Sequence, residues 1–297
     1  NAAGFPTSMG SPIFAGQGPV AKDEIMVARM RAAGAIVIGK TNTPEFGLGS
    51  HTFNPVHGPT RNPYDHGRSA GGSSGGAAVA LASGMIPIAD GSDMMGSLRN
   101  PAAWNNVFGM RPSQGRVPAC PVNDVWVSQL GTDGPMARHV ADLARLLETM
   151  AGYDARAPLS LAALPVGWSS QLQPKVNGLR IGWLGDLQGY LPMEEGILDV
   201  CESALKSFSG MGCAVDEARL GMPPEQVWQT WLVWRQALVA SRIASFLINP
   251  ANRAHLKAEA LWEYDQSKNL TGAQLMAASA SRTRFHHSML ALFEKFD

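Results

Sequence analysis

The 297-residue sequence predicts a single α/β domain, and three observations point there. A helical pattern at 23–33 runs directly into a short apolar stretch at 35–38, so the period switches from helix to strand within one turn. The order strand, helix, strand returns at 179–215. Hydrophobic residues make up 45% and charged residues 16% of the chain, enough apolar surface for a substantial core and too much for a disordered one.

Taken in order, residues 1–20 are rich in Gly, Pro and Ser and read as loop. The helix at 23–33 has acids first, Arg29 and Arg31 late, and Gly34 where a C-cap belongs. A buried strand is expected at 35–38. Residues 40–68 carry four prolines and His51, His57 and His66, and read as one long ordered loop. A helix at 76–83 and a strand at 86–89 follow. Residues 102–135 read as irregular, 139–150 as an amphipathic helix and 158–176 as a connector. Strands at 179–184 and 213–215 flank a helix at 194–208; paired in parallel they form a right-handed β-α-β unit. A Trp-rich helix at 225–247 reads as core packing, with an apolar substrate wall as its functional alternative. Residues 272–295 are expected to be helical.

Several function classes are excluded at this level. Lys+Arg and Asp+Glu number 24 each, so the net charge is zero and gives no electrostatic footprint for nucleic acid or an anionic membrane. Cys120, Cys201 and Cys213 form no C-x-x-C pair, which fits a reducing, cytoplasmic setting and argues against a disulfide framework or a zinc site. No apolar run has the length of a membrane span, and the N-terminus lacks the pattern of a signal peptide. Residue 1 is Asn, so the N-terminus is read as already cut. No metal or cofactor is expected. A small-molecule partner is, and a homodimer is the oligomer considered.

Chemistry concentrates at 71–101, GGSSGGAAVALASGMIPIADGSDMMGSLRNP. Ser73 and Ser97 sit in glycine-flanked loops joined by an apolar run without a charge before Asp90. A hydroxyl that attacks a carbonyl needs a base, and the oxyanion it creates needs preorganised donors. Glycines let the backbone supply those donors at close range.

The two loops resemble the amidase signature family, whose members show G-G-S-S-G-G and then G-S-D-x-G-G-S-[IL]-R-x-P-A. Here the second part reads Gly91-Ser92-Asp93-Met94-Met95-Gly96-Ser97-Leu98-Arg99-Asn100-Pro101-Ala102, and the 24-residue separation of Ser73 and Ser97 fits the family. Flanking stretches agree: 39–46 (GKTNTPEF), 58–63 (GPTRNP) and 109–116 (GMRPSQGR). The resemblance covers nearly the whole chain. It implies a mixed β-sheet core covered by helices on both faces, incomplete at both ends of this chain.

By that resemblance Ser97 is the nucleophile of an amidase, forming an acyl-enzyme and releasing ammonia or an amine. Ser73 is the bridging serine, preceded by a cis peptide from Gly72. The amides of Met94, Met95, Gly96 and Ser97 are the implied oxyanion hole, with Ser74, Asp93 and Arg99 in support; for the last two a structural ion pair is the bland alternative. Two departures stand out: Met95 replaces a glycine usual in the family, which bears on substrate size, and Ala70 replaces a common proline. The family's base is a lysine kept neutral, which requires lowering its pKa by about three units. Counting back from Gly4, that lysine falls ahead of Asn1. Lys22 and Lys40 are rejected as substitutes, and the 297 residues alone are expected to be inactive.

Other readings compete. Gly72-Ser73-Ser74-Gly75-Gly76 also satisfies G-x-S-x-G, which would make Ser74 the nucleophile of an α/β-hydrolase-like esterase with His139, His255, His286 or His287 downstream. Ser203-Ala204-Leu205-Lys206 matches S-x-x-K without its companion boxes and reads as coincidence. The glycine-rich loop lacks the Gly-Lys-Ser/Thr ending of a phosphate loop, and His51, His57 and His66 are spaced too irregularly for a metal site. A non-catalytic subunit built on the same scaffold is the rival from another class. The substrate stays open among aliphatic and aryl amides, indoleacetamide-like compounds and glutamine as ammonia donor, with a stand-alone hydrolase favoured.

Overall fold

The computed structural model describes residues 1–173 and 175–297, which fall into two compact units. The first contains residues 1–172 and 246–260, the second 173–245 and 261–297.

In the first unit, α1 (Ile25–Ala32) is followed by β1 (Phe53–Asn54), β2 (Gly58–Pro59), α2 (Gly75–Ala82), β3 (Ile88–Asp93), α3 (Arg99–Trp104), β4 (Phe108–Gly109), β5 (Thr132–Ala137) and α4 (Val140–Met150). The central sheet is antiparallel with order β3-β5-β4. Its register sets Ala89 opposite Met136, Gly91 opposite Gly134 and Asp93 opposite Thr132. Side chains alternate across a sheet, so these pairs share one face. Met136 packs there with Ala77, Ala78 and Leu81 of α2 and with Leu98 and Ala102. The alanines let α2 approach closely. The other face carries Ile88, which joins Met26, Val27 and Met30 of α1 and Leu146, Leu147 and Met150 of α4. Helices therefore cover both faces. Burial of Leu81, with none of its surface exposed, is worth about 1.5–3 kcal/mol.

In the second unit, β6 (Arg180–Trp183) and β7 (Ala214–Glu217) pair in parallel around α5 (Ile197–Gly210), as the strand-helix-strand order predicts. Then come α6 (Pro224–Phe246), whose last residue is counted in the first unit, α7 (Ala258–Ser267), whose first three residues are, and α8 (Gly272–Phe293). Thr230 Oγ1 and Ser281 Oγ, 2.7 Å apart, join α6 to α8. Trp228 and Trp231 stack at 4.9 Å on α6, and Arg235 pairs with the buried Glu263. The N-terminus of α8 is closed by a capping box between Thr271 and Gln274.

The structure corrects three expectations for individual elements. Residues 35–38 form no strand: Ala35 and Val37 face the α1/α4 cluster, but Ile36 and Ile38 are 87% and 72% exposed, and no ladder partner lies beside them among the described residues. The strand expected at 86–89 is β3, which runs on through Gly91-Ser92-Asp93 because β5 pairs with each of them. The stretch 102–135 is less irregular than expected, containing the second half of α3, all of β4 and the start of β5. Helix α7 has no signature in the sequence, which lacks a continuous apolar stripe there.

Candidate active site

The peptide between Gly72 and Ser73 is cis. Ser73 and Ser74 are buried, at 4% and 5% exposure, just ahead of α2. Ser97 lies half-buried in the turn between β3 and α3. The two loops are joined directly: Ser74 N–H donates to Ser97 O at 3.1 Å. Ser74 Oγ donates to Ser92 O at 3.4 Å and accepts from Ser92 N–H at 3.3 Å. Close approach of the segments at this point requires Gly91, where a Cβ would lie 2.6 Å from Ser74 Oγ.

Asp93 is the hub of the second loop. Its side chain is fully buried, and its Oδ1 accepts from Gly96 N–H at 2.7 Å and from Arg99 Nη2 at 3.0 Å. Its Oδ2 accepts from Leu98 N–H at 3.2 Å and from Arg99 Nε at 2.9 Å. Arg111 Nε stands 3.5 Å from Oδ1 and donates to the Asp93 carbonyl at 3.2 Å. Burial alone would push this carboxyl up; the Arg99 hydrogen bonds and the loop amides outweigh it and hold the pKa below the usual carboxylate range. The hydrogen bond to Asp93 in turn raises the Arg99 guanidinium. A bidentate arginine on a buried carboxylate fixes the loop by geometry as well as charge.

The four amides expected to form the oxyanion hole are not equivalent. Gly96 N–H is already given to Asp93, whereas those of Met94, Met95 and Ser97 have no acceptor among the described residues. The Met95 side chain is 51% exposed.

Residues that sequence reasoning missed hold the first loop. Thr52 Oγ1 donates to Gly71 O at 2.8 Å and accepts from Gly75 N–H at 3.2 Å. Asn105 Nδ2 donates to Ala70 O and Pro101 O, both at 2.7 Å, tying α3 to the approach of the first loop. No local sequence pattern marks Thr52 or Asn105; Arg111 lies in the GMRPSQGR stretch that carried part of the resemblance.

The other candidates lie elsewhere. Lys40 Nζ donates to Thr7 Oγ1 at 2.6 Å and Pro6 O at 3.3 Å; desolvation lowers its pKa, opposed by Glu24 and Asp90. Among the described residues, no hydrogen bond joins Lys22 or Lys40 to Ser73 or Ser97. His51 Nδ1 pairs with Ser69 Oγ at 2.8 Å and His57 Nε2 with Ser8 Oγ at 3.1 Å. His139, His255, His286 and His287 are exposed, and none shares a hydrogen bond with Ser74. No helix among the described residues is long and apolar enough to cross a membrane.

The amidase family model matches residues 1–297. An acylamidase of Rhodococcus erythropolis is 39% identical over 227 residues, covering 76% of this chain and 47% of that protein. A glutamyl-tRNA(Gln) amidotransferase subunit of Thermus thermophilus is 41% identical over 221 residues, covering 74% of this chain and 46% of that one. A bacterial aryl acylamidase of the amidase signature family superposes with a TM-score of 0.90 at 30% identity, covering 100% of this chain and 62% of that structure. The chain spans about half the length of the curated relatives it matches. With the family model matched from end to end and the α/β architecture shared, the chain belongs to the amidase signature family.

Proposed function

We propose that the protein hydrolyses carboxylic amides through an acyl-enzyme on Ser97, and that both units belong to one amidase domain. The observation that carries the reading is the direct backbone link from Ser74 to Ser97, which holds the two hydroxyl-bearing loops against each other.

In this reading Ser97 Oγ attacks the amide carbon and its proton passes to Ser73 Oγ, which relays it to a base. The tetrahedral oxyanion is received by the free amides of Met94, Met95 and Ser97. Each such donor is worth about 3–4 kcal/mol of barrier. Gly96 shapes the hole from behind, because its N–H serves Asp93. Collapse of the intermediate breaks the C–N bond, the relayed proton returns to the leaving nitrogen, and water then releases the acid from Ser97. Lys40 is not the base in this scheme, since its Nζ is occupied by Thr7 and Pro6. Asp93 and Arg99 support the hole without touching substrate.

A stand-alone hydrolase of linear amides fits the relatives named acylamidase and aryl acylamidase. A second reading, an ammonia-donating component that uses glutamine, is favoured by the 41% identity to the glutamyl-tRNA(Gln) amidotransferase subunit. The test is an amide panel with ammonia detection on the full-length protein. Release from aliphatic or aryl amides supports the hydrolase; release from glutamine alone supports the ammonia donor; no release from any amide, with Ser97 inert to a fluorophosphonate, overturns both.

A further inference from the structure

We infer that Thr52 is a positioning residue for the serine pair, its hydroxyl stapling the loop on both sides of Ser73. Thr52 is 2% exposed and sits at the entry to β1, more than a helical turn away in sequence from any motif serine. Its N–H donates to Gly71 O at 3.0 Å and its Oγ1 to the same carbonyl at 2.8 Å. That oxygen also accepts from Gly75 N–H at 3.2 Å and lies 3.4 Å from Ser73 O. One hydroxyl thus spans the five residues 71–75, reaching the carbonyl before the Gly72–Ser73 peptide and the first amide of α2 after it. The fit is tight: a Cβ on Gly75 would fall 2.3 Å from Thr52 Oγ1.

On the other side of the loop Ser74 is tied to Ser92 and Ser97. Ser73, between the two ties, has its backbone fixed from both directions while its Oγ makes no bond to Thr52. The backbone that carries the Ser73 hydroxyl is therefore set by a residue that takes no part in proton transfer. Valine at position 52 removes the hydroxyl, leaving Gly75 N–H without its acceptor and Gly71 O with only the position-52 backbone N–H. A displacement of about an ångström at a reacting group is enough to cost about 100-fold in rate.

This inference rests on the proposed role of Ser97, and the experiment separates the two. The rate of fluorophosphonate labelling is measured on the full-length protein, with the labelled residue mapped by mass spectrometry, for wild type, Thr52→Val, Thr52→Ser and Gly75→Ala. The expected result is label on Ser97, a rate about 10- to 100-fold lower in Thr52→Val, and recovery to within about threefold of wild type in Thr52→Ser. Gly75→Ala, which forces the hydroxyl aside, is expected to match Thr52→Val and serves if the valine variant does not fold. Rates are normalised to folded protein by thermal melts, so a purely structural role would lower the melting temperature and leave the rate unchanged. Wild-type labelling of Ser97 in both Thr52→Val and Gly75→Ala overturns the assignment of Thr52 alone. Label on another residue, or none in the wild type, overturns the role of Ser97 and the Thr52 inference with it.

Discussion

The backbone N–H of Ser74 donates to the carbonyl oxygen of Ser97 at 3.1 Å, so the two loops meet through a main-chain bond that an alanine at either position leaves in place. Side-chain variants at 74 and 97 therefore probe chemistry without separating the loops.

Ser74→Ala is expected to keep most of the amide turnover and to lose about 1 kcal/mol of stability, the worth of its hydroxyl's bonds to Ser92. Steady-state kinetics and a denaturant melt check this. An esterase built on Ser74 would show the reverse, with turnover abolished.

Asp93→Asn leaves the guanidinium of Arg99 beside a neutral group and replaces one of the two oxygens that accept from the loop amides with a donor. Because the Arg99 side chain is more than half exposed and water can solvate it once its partner is neutral, the cost is about 1–3 kcal/mol, and the deformed oxyanion hole is expected to lower kcat more than it raises KM. Chemical denaturation and initial rates measure the two effects.

The same carboxyl sets an acid limit. Its folded pKa lies below the unfolded value, so its stabilisation is fully present above the ordinary aspartate pKa of about 4 and is lost as pH falls through the lower folded value. Thermal melts of the wild type are expected to drop in this acidic window, and those of Asp93→Asn to drop less steeply there. An unchanged slope in the variant would show that Asp93 is not a source of the acid sensitivity.

Met95 stands where the family usually has glycine, with half of its side chain exposed. Met95→Gly is expected to raise kcat/KM for bulky amides by about 10-fold or more while changing the smallest amide by less than about threefold. A matched series of acyl chain lengths is the assay. Equal gains for all sizes would place Met95 outside the substrate's path.

Much of the candidate site is legible in the sequence because its chemistry is local. Glycines around Ser73 and Ser97, and an acid and an arginine six residues apart at Asp93 and Arg99, are short-range patterns whose contacts form within one loop. Thr52, Asn105 and Arg111 act across the fold, by hydrogen bonds to residues 18 or more positions away, and no periodicity announces such a contact. The antiparallel pairing of β3 with β5 is hidden for the same reason: a Gly-Ser-Asp stretch reads as loop until a partner strand lies beside it. At 35–38 the apolar pattern suggests a strand, but pairing is a property of neighbours, and residues 36 and 38 have none among the described residues. Helices α4, α5, α6 and α8 are legible from their spacing and boundaries alone.

Acylation of Ser97 is most directly tested by acid-quenching the full-length protein during turnover of a good amide substrate and mapping the adduct by mass spectrometry. The expected result is an acyl group on Ser97, its absence in Ser97→Ala, and loss of ammonia release in that variant. Ammonia released by Ser97→Ala at the wild-type rate would contradict the mechanism.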